Sequence, residues 1–266
     1  MQITLLKRLP KAMRYFWLLV EQAGDYILKI PIQTSAEWVF CTLHSYSGVI
    51  DMGKKVLLTG FDPFGGETVN PSWEAVKRLN GEEAEGVSIA AEQIPTVFHH
   101  SAAVLKKAIE KHKPDVVICA GQAGGRAHIT PERIAINIDD ARIPDNEDRE
   151  PIDEPIAADG PAAYWSALPI KLIVKELRKN GIPASVSNSA GTFVCNHLFY
   201  QLMHRIDRTS ANIRGGFIHI PFLPEQTIDK PEPSLSLETI VEGLRIAAVI
   251  SALHEKDIRE TGGSIS

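Results

Sequence analysis

The sequence has 266 residues, few cysteines, no long apolar run and no excess of positive charge. Its three cysteines, Cys41, Cys119 and Cys195, lie far apart, and none has a partner at the spacing of a zinc site. Such an odd, scattered set favours free thiols in a reducing, cytoplasmic setting. No apolar run is long enough to cross a bilayer. The net charge of −5, without a basic stripe, argues against nucleic acid as a partner.

Residues 1–51 differ in character from the remainder of the chain. Basic residues precede the apolar run YFWLLV, which is short for a signal peptide and is followed by no small-residue cleavage site. A regular pattern begins only beyond this segment. We therefore expect an N-terminal extension over residues 1–51, with Met52 as the true start, and a single domain over residues 52–266.

From Lys54 onwards, short apolar segments alternate with segments of helical periodicity. The segments predicted as strands are KKVLLTGF, VSIAAEQIP, DVVICAGQAGG, ERIAINI, IPASVSNSAG and GGFIHIPFLP. The predicted helices are PSWEAVKRLNG, VFHHSAAVLKKAIEKHKP, PIKLIVKELRKNG, TFVCNHLFYQLMHRI and SLSLETIVEGLRIAAVISALHEK, the last with a serine and a glutamate placed for a capping box. This alternation predicts a three-layer α/β/α sandwich around a mostly parallel, twisted sheet. The acidic stretch 139–160 has no periodicity, which is typical of a functional or mobile loop.

Candidate chemistry lies where ligands gather in such a sheet, beyond the carboxyl ends of the strands. Cys195 follows the expected strand ASVSNS, His219 lies near the end of GGFIHIP, and Gln122 follows DVVICA. Cys195 is in line with the apolar stripe of its helix, which favours a buried packing role. Its place in the first helical turn favours instead a nucleophile with a lowered thiol pKa and nearby N–H groups for an oxyanion. The residues alone leave both interpretations open.

Partners for a nucleophilic cysteine are available, although spacing alone does not select them. A lone histidine in an apolar strand, such as His219, is usually a core residue, but a cysteine nucleophile needs a base and histidine is the usual one. Glu132 is one of several acidic candidates for orienting that base. Phe61 and Phe64, in the loop GFDPFGG, form either a cap on the core or the wall of an apolar pocket. The P-loop spacing with its lysine is absent there.

Four stretches resemble one known family. VLLTGFDPFGGETVNPS, GQAGGRAHITPERIAIN, SAGTFVCNHLFY and GGFIHIPFLPEQ are similar to motifs of the type I pyroglutamyl peptidases, also called pyrrolidone-carboxylate peptidases, and the resemblance runs from about Met52 to the C-terminus. It implies a cysteine peptidase that removes N-terminal pyroglutamyl residues from peptides, without a metal or cofactor. It also implies a homo-oligomer, often a tetramer.

The resemblance also assigns residues. It implies that Cys195 is the nucleophile, His219 the base and Glu132 the third member of the triad, with Arg142 near the nucleophile and its oxyanion. The residues it implies for the substrate pocket are Phe61, Phe64, Asn70, Thr96, Gln122, Ile143, Phe193 and Val194.

Two other functions stay open because a fold does not determine a function. They are a non-catalytic α/β module that binds a small ligand, and a nucleoside-phosphorylase-like enzyme.

Overall fold

The computed structural model describes residues 19–22, 25–29, 40–42, 53–209 and 212–263. The chain divides into two compact units, Met1–Met52 and Gly53–Ser266. In the first unit, the described residues form a three-stranded antiparallel sheet of β1 (Leu19–Gln22), β2 (Asp25–Lys29) and β3 (Phe40–Thr42). Met52, the expected start, lies outside the described residues.

The second unit is built on a six-stranded sheet in the order β5-β6-β4-β7-β11-β8. Its strands are β4 (Lys55–Phe61), β5 (Glu83–Ala84), β6 (Val87–Ile94), β7 (Val116–Gln122), β8 (Thr130–Pro131) and β11 (Arg214–Ile220). The four longer strands are parallel, whereas the two-residue strands β5 and β8 pair antiparallel at the edges. The mostly parallel sheet is therefore confirmed. A separate antiparallel pair joins β9 (Ile134–Ile136) to β10 (Ala163–Trp165).

Helices cover both faces of this sheet. They are α1 (Pro71–Arg78), α2 (His100–His112), α3 (Ile170–Lys179), α4 (Val194–Thr209) and α5 (Leu237–Leu253). Side chains alternate between the faces of a strand. Val116 and Ile118 of β7 accordingly pack in a core with α1, α3 and α5, while Val117 and Cys119 pack in a second core with α2 and α4. Two apolar cores on opposite faces confirm the predicted three-layer sandwich.

Polar caps set where two of these helices begin. Asn70 precedes α1, and its side chain accepts a hydrogen bond from the N–H of Ser72, while Pro71 starts the helix. Ser236 caps α5 and accepts from the N–H of Thr239. The predicted serine cap is confirmed, but Thr239 holds the third helical position that a capping-box glutamate would occupy.

The segment IPASVSNSAG, predicted as a strand, does not form one. Its residues 183–187 run beside residues 129–133 and share four backbone hydrogen bonds with them, of 2.8–3.2 Å. Only Ala184 and Ser187 form β-bridges with the neighbouring segment. These two residues are not consecutive, so the bridges stay isolated and no strand results. ERIAINI is likewise shorter than predicted, since its strand β9 covers three residues and pairs with β10 outside the main sheet. Cys195 therefore does not follow a strand of the main sheet.

A buried acid–histidine pair fastens α4 to the segment after β9. His197 Nδ1 lies 2.7 Å from Asp139 Oδ2, and neither side chain is accessible beyond a few per cent of its surface. The backbone N–H of His99 donates to His197 Nε2 at 3.1 Å. Because that nitrogen accepts, the proton of a neutral ring lies on Nδ1 and is donated to Asp139. One side chain thus joins three parts of the chain.

We expect His197→Ala to lower the free energy of unfolding by about 3 kcal/mol, because it leaves the buried Asp139 carboxylate and an N–H group unpaired. His204→Ala is the matched control on the same helix. His204 is half-buried and has one hydrogen bond, of 2.9 Å, to Tyr164. Its loss should cost about 1 kcal/mol. Urea denaturation of both variants measures the difference, and equal losses would contradict the role assigned to the pair.

Candidate active site

The candidate site lies where two neighbouring strands stop pairing, at the position where such sheets form a crevice. β4 and β7 pair as far as Thr59 and Cys119, whereas β7 pairs with β11 up to Gln122 and Ile220. After β4, the chain adds β6 on one side of this strand and then β7 on its other side. β4 and β7 therefore flank the point where the strand order reverses. Ligands of open α/β sheets bind outside the carboxyl ends of the strands at this point.

Cys195 is the second residue of α4 and lies against the end of β7. The first-turn N–H groups of a helix have no acceptor four residues back, so those around Cys195 are available to a ligand. A Cβ built on Gly121 would lie 2.8 Å from Cys195 Sγ and 2.8 Å from Phe217 Cζ. Only glycine fits at this position, and the space left by its missing side chain receives the sulfur.

His219 projects from β11 onto the same face as this sulfur. Its register partner on β7 is Gly121, and paired residues of parallel strands project to the same side of a sheet. Its ring lies 4.8 Å, between centroids, from that of Phe217, which also borders the sulfur. The structure therefore places the predicted nucleophile and base on the same face of the sheet, beside Gly121.

Glu132 completes the group from the sheet edge. It directly follows β8, and its N–H donates to the carbonyl of Phe217 at 2.9 Å. Its Oε1 lies 2.7 Å from His219 Nδ1, and both side chains are buried. Because an ionised carboxylate only accepts hydrogen bonds, the proton of the ring lies on Nδ1 and Nε2 keeps a lone pair. Three residues that are distant in sequence thus form one hydrogen-bonded arrangement.

The pKa values of the acid and the base reflect their burial and their mutual contact. Burial raises the pKa of Glu132, but the hydrogen bond and charge of His219, with smaller contributions from Ser187 and Arg126, outweigh burial and hold this pKa below its ordinary value. Burial lowers the pKa of His219, and the hydrogen bond to Glu132 offsets this only in part. At neutral pH the pair is therefore a carboxylate beside a neutral imidazole.

The thiol pKa shifts in the direction opposite to that predicted. Burial, with the Glu132 carboxylate as a second contribution, raises the pKa of Cys195 to about 12. The position in the first helical turn is as expected, but loss of hydration outweighs any stabilisation of a thiolate by the helix. With a neutral histidine beside it, Cys195 rests as a thiol that needs a base.

Aromatic rings border the crevice next to Cys195. The ring of Phe193, at the start of α4, lies 6.2 Å from that of Phe64 and 5.3 Å from that of Phe98, edge-on to the latter. Phe64 and Phe193 are partly exposed, whereas Phe61 is buried and packs on Phe217 at 6.3 Å. Of the two alternatives for the aromatic loop, core packing therefore describes Phe61, while Phe64 is partly exposed beside Phe193 and its place in a pocket wall stays a prediction.

Two polar residues expected in the pocket hold this loop in shape. The Asn70 amide donates to the carbonyl of Asp62 at 2.9 Å, and its oxygen accepts from Ser72, so its polar groups are used inside the protein. The N–H and hydroxyl of Thr96 both donate to Asp62. Gly65 and Gly66, with φ of 62° and 81°, make the tight turn that follows Phe64. The loop is thus built from the residues predicted to line the pocket.

The remaining predicted residues have diverse positions. Val194 is fully buried in the core of α2 and α4, while Ile143 is 46% exposed. Gln122 is half-buried at the end of β7, and its amide oxygen accepts from Gln226 at 3.0 Å. Arg142 is exposed and forms no hydrogen bond or ion pair within the described part of the chain. Its proximity to Cys195 stays a prediction.

One charged residue of the site was missed by sequence reasoning. Arg126 Nη1 lies 2.6 Å from Glu132 Oε1, the same oxygen that His219 contacts. It lies six residues before Glu132 in the glycine-rich turn, within one of the motifs that carried the resemblance. The only feature of the sequence that could have indicated a role for Arg126 was its charge next to the three glycines of this turn. Asp139 and His197, 58 residues apart, offered no signal at all.

Among the described residues, no group of three or more histidine, cysteine or acidic side chains is arranged to hold a metal ion. Within the same residues, no helix has the length and apolar character needed to span a membrane.

The chain is similar to proteins of one known family. A profile of the family described as pyroglutamyl peptidase matches residues 54–254. The pyrrolidone-carboxylate peptidases of Bacillus amyloliquefaciens and Bacillus subtilis strain 168 are 65% and 64% identical to this chain over 214 residues, which are 80% of this chain and the whole of each relative.

Solved structures agree. The crystal structure of pyroglutamyl peptidase I from B. amyloliquefaciens matches with a TM-score of 0.78 and 67% identity, over 79% of this chain and all of that one. The pyrrolidone carboxyl peptidase of Thermococcus litoralis matches with a TM-score of 0.76 and 38% identity, over 78% of this chain and 99% of that one. The chain therefore belongs to the pyroglutamyl peptidase family of cysteine-type peptidases.

Proposed function

We propose that this protein removes N-terminal pyroglutamyl residues from peptides, with Cys195 as nucleophile, His219 as base and Glu132 as the group that orients it. The observation that carries the proposal is the 2.7 Å hydrogen bond between His219 and Glu132 on the face where Cys195 Sγ packs. This pairing of base and acid beside a nucleophile has no comparable purpose in a ligand-binding module or a phosphorylase, and membership of the family argues against both alternatives.

The protonation states define the first chemical step. His219 Nε2 takes the proton of the Cys195 thiol as Sγ attacks the pyroglutamyl carbonyl carbon, and the carbonyl oxygen becomes an oxyanion. The imidazolium that forms is stabilised by the Glu132 carboxylate at Nδ1. Transfer during attack suits a thiol whose pKa is raised to about 12, because no free thiolate is required in the resting enzyme.

The later steps reverse the path of the proton. The imidazolium donates its Nε2 proton to the leaving amine, the C–N bond breaks, and a thioester joins the pyroglutamyl group to Cys195. Water then loses a proton to Nε2 and attacks the thioester carbonyl. The C–S bond breaks, pyroglutamic acid is released, and the imidazolium returns its proton to the departing thiolate, which restores the thiol and the neutral base. First-turn N–H groups of α4 stabilise the oxyanion in both halves, and Arg142 is proposed to assist them.

The lactam ring would be recognised by backbone groups and aromatic rings. The N–H of Ala123 points to β11, since it donates to the carbonyl of Ile220 at 2.9 Å. Successive backbone groups of a strand alternate in direction, so the N–H and C=O of Gln122 face the crevice, where β4 no longer pairs. A lactam has one donor and one acceptor to match them. Phe64 and Phe193 would lie against the ring.

We also propose that the enzyme is a cytoplasmic homo-oligomer, with a tetramer as the expected form. Cys119 and Cys195 are free thiols, in keeping with a reducing compartment. The expectation of a homo-oligomer follows from the resemblance to the family.

We expect Cys195→Ser to abolish hydrolysis of a pyroglutamyl chromogenic amide while barely changing stability, because serine is a poor nucleophile in this setting. Cys119→Ser is the matched control and should do the reverse. It should retain activity per folded molecule but lose about 1–2 kcal/mol of unfolding free energy, because it buries a hydroxyl in the core. The measurements are the hydrolysis rate and the melting temperature of both variants. Normal turnover in Cys195→Ser would contradict the role of Cys195 as nucleophile.

We expect pyroglutamyl amides to be preferred over prolyl and glutaminyl amides by about 10⁴ in kcat/KM, since a site built for a lactam rejects analogues that lack its groups or bring a charged amine. Phe64→Ala should raise KM strongly because it removes ring contact. The test is to measure kcat and KM for the three amides with both proteins. Comparable rates on prolyl and pyroglutamyl amides would contradict the proposed recognition.

We expect a chain that begins at Met52 to hydrolyse the pyroglutamyl amide as fast as the full chain, because the family match and the compact second unit both begin beyond this residue. Purified full-length and shortened proteins, compared by kcat/KM and by melting temperature, provide the measurement. An insoluble or inactive shortened chain beside an active full chain would show that residues 1–51 belong to the working enzyme.

A further inference from the structure

We propose that Arg126 is a positioning residue of the catalytic group, which holds Glu132 against His219 and links both to the turn that leads into the nucleophile helix. This inference rests on the proposed function of Cys195, His219 and Glu132. Arg126 does not touch the reacting atoms but acts through Glu132.

Three hydrogen bonds fix the guanidinium. Nη1 donates to Glu132 Oε1 at 2.6 Å and to the hydroxyl of Thr130 at 2.7 Å, while Nη2 donates to the carbonyl of Ser189 at 3.2 Å. Thr130 in turn donates to the backbone carbonyl of His219 at 3.4 Å. The planar side chain of Arg126 therefore contacts Glu132, Ser189 and Thr130. Ser189 lies six positions before Cys195, and Thr130 bonds to the backbone of His219.

Glu132 needs this contact because of its burial. Its side chain is inaccessible to solvent, and its second oxygen, Oε2, has no hydrogen-bond partner among the described residues. Both donors to the carboxylate converge on Oε1, and in the resting state one of them is a neutral imidazole. A buried carboxylate is costly without a charged partner. Among the described residues, Arg126 is the one arginine or lysine in contact with it.

The geometry also defines how the charge of Arg126 acts on the site. The titratable groups that face one another here are Glu132 after β8, His219 on β11, Cys195 on α4 and Cys119 on β7. The positive charge of Arg126 lowers the pKa values of Glu132, His219 and Cys195, because it favours the deprotonated form of each. Its removal must raise these pKa values, which moves both limbs of the pH–rate profile to higher pH.

Arg126→Gln and Arg126→Lys separate charge from geometry, and Arg133→Gln is the matched control. Arg133 is adjacent to Glu132 in sequence and loses the same charge, but it bonds to Asn188 and to the carbonyl of Gly262 instead of Glu132. The measurements are kcat and KM for a pyroglutamyl amide across pH, and the rate of alkylation of Cys195 by iodoacetamide across pH. Thermal melting establishes that each variant is folded.

For Arg126→Gln we expect kcat to fall about 10- to 100-fold, as for a displaced catalytic group. KM should change little, and both limbs should move to higher pH. Alkylation of Cys195 should need higher pH as well. Arg126→Lys keeps the charge but not the planar fork, so it should restore the pH profile more fully than kcat. Arg133→Gln should match the wild type in every measurement.

Two failures are distinguishable. If the wild type hydrolyses the amide but Arg126→Gln and Arg126→Lys, both folded, keep its kcat and pH profile, the role of Arg126 is refuted. The same holds if Arg133→Gln shifts the profile as much as Arg126→Gln. If the wild type does not hydrolyse the amide, the proposed function fails, and the alkylation profiles still report whether Arg126 acts on the Cys195 thiol.

Discussion

The hydrogen bond between His219 Nδ1 and Glu132 Oε1 is the interaction on which the site depends. It places the proton of the neutral ring on Nδ1 and leaves Nε2 with a lone pair. Glu132 is fully buried, and its contacts with His219 and Arg126 help to hold its pKa below the ordinary value. The acid, the base and the arginine therefore form one electrostatic unit, and a change in any of them alters the proton affinity of the others.

The fold provides the close approach that this unit requires. Cys195 Sγ fits against β7 only because Gly121 has no side chain, and His219 is the register partner of that glycine on β11. The helix that carries the sulfur is in turn held from the opposite side. Asn196 bonds to the backbone of Ile136 and Ile138, and His197 bonds to Asp139. Because polar contacts anchor the first turn of α4, the position of the sulfur is determined by the segment after β9 as well as by the sheet.

Burial has opposite consequences for the acid–base pair and for the thiol. It keeps His219 neutral and able to accept a proton, and it raises the pKa of the Cys195 thiol. An exposed thiolate reacts with oxidants and alkylators, whereas a half-buried thiol beside a neutral base reacts mainly when a carbonyl carbon is held next to it. On the proposed mechanism, the arrangement therefore links reactivity of Cys195 to the binding of a substrate carbonyl next to it.

The sequence by itself determined the layers of the fold, the order of its long strands and helices, and, through four motifs, the family to which the chain belongs. Apolar periodicity is a local property, so β4, β7, β11 and α5 were predictable. The segment 182–191 was predicted wrongly because its partner, residues 129–133, decides whether it pairs continuously. Only the tertiary structure decided the direction of the Cys195 pKa and the roles of Arg126 and of the Asp139–His197 pair, because burial and contacts between distant residues have no signature in local spacing.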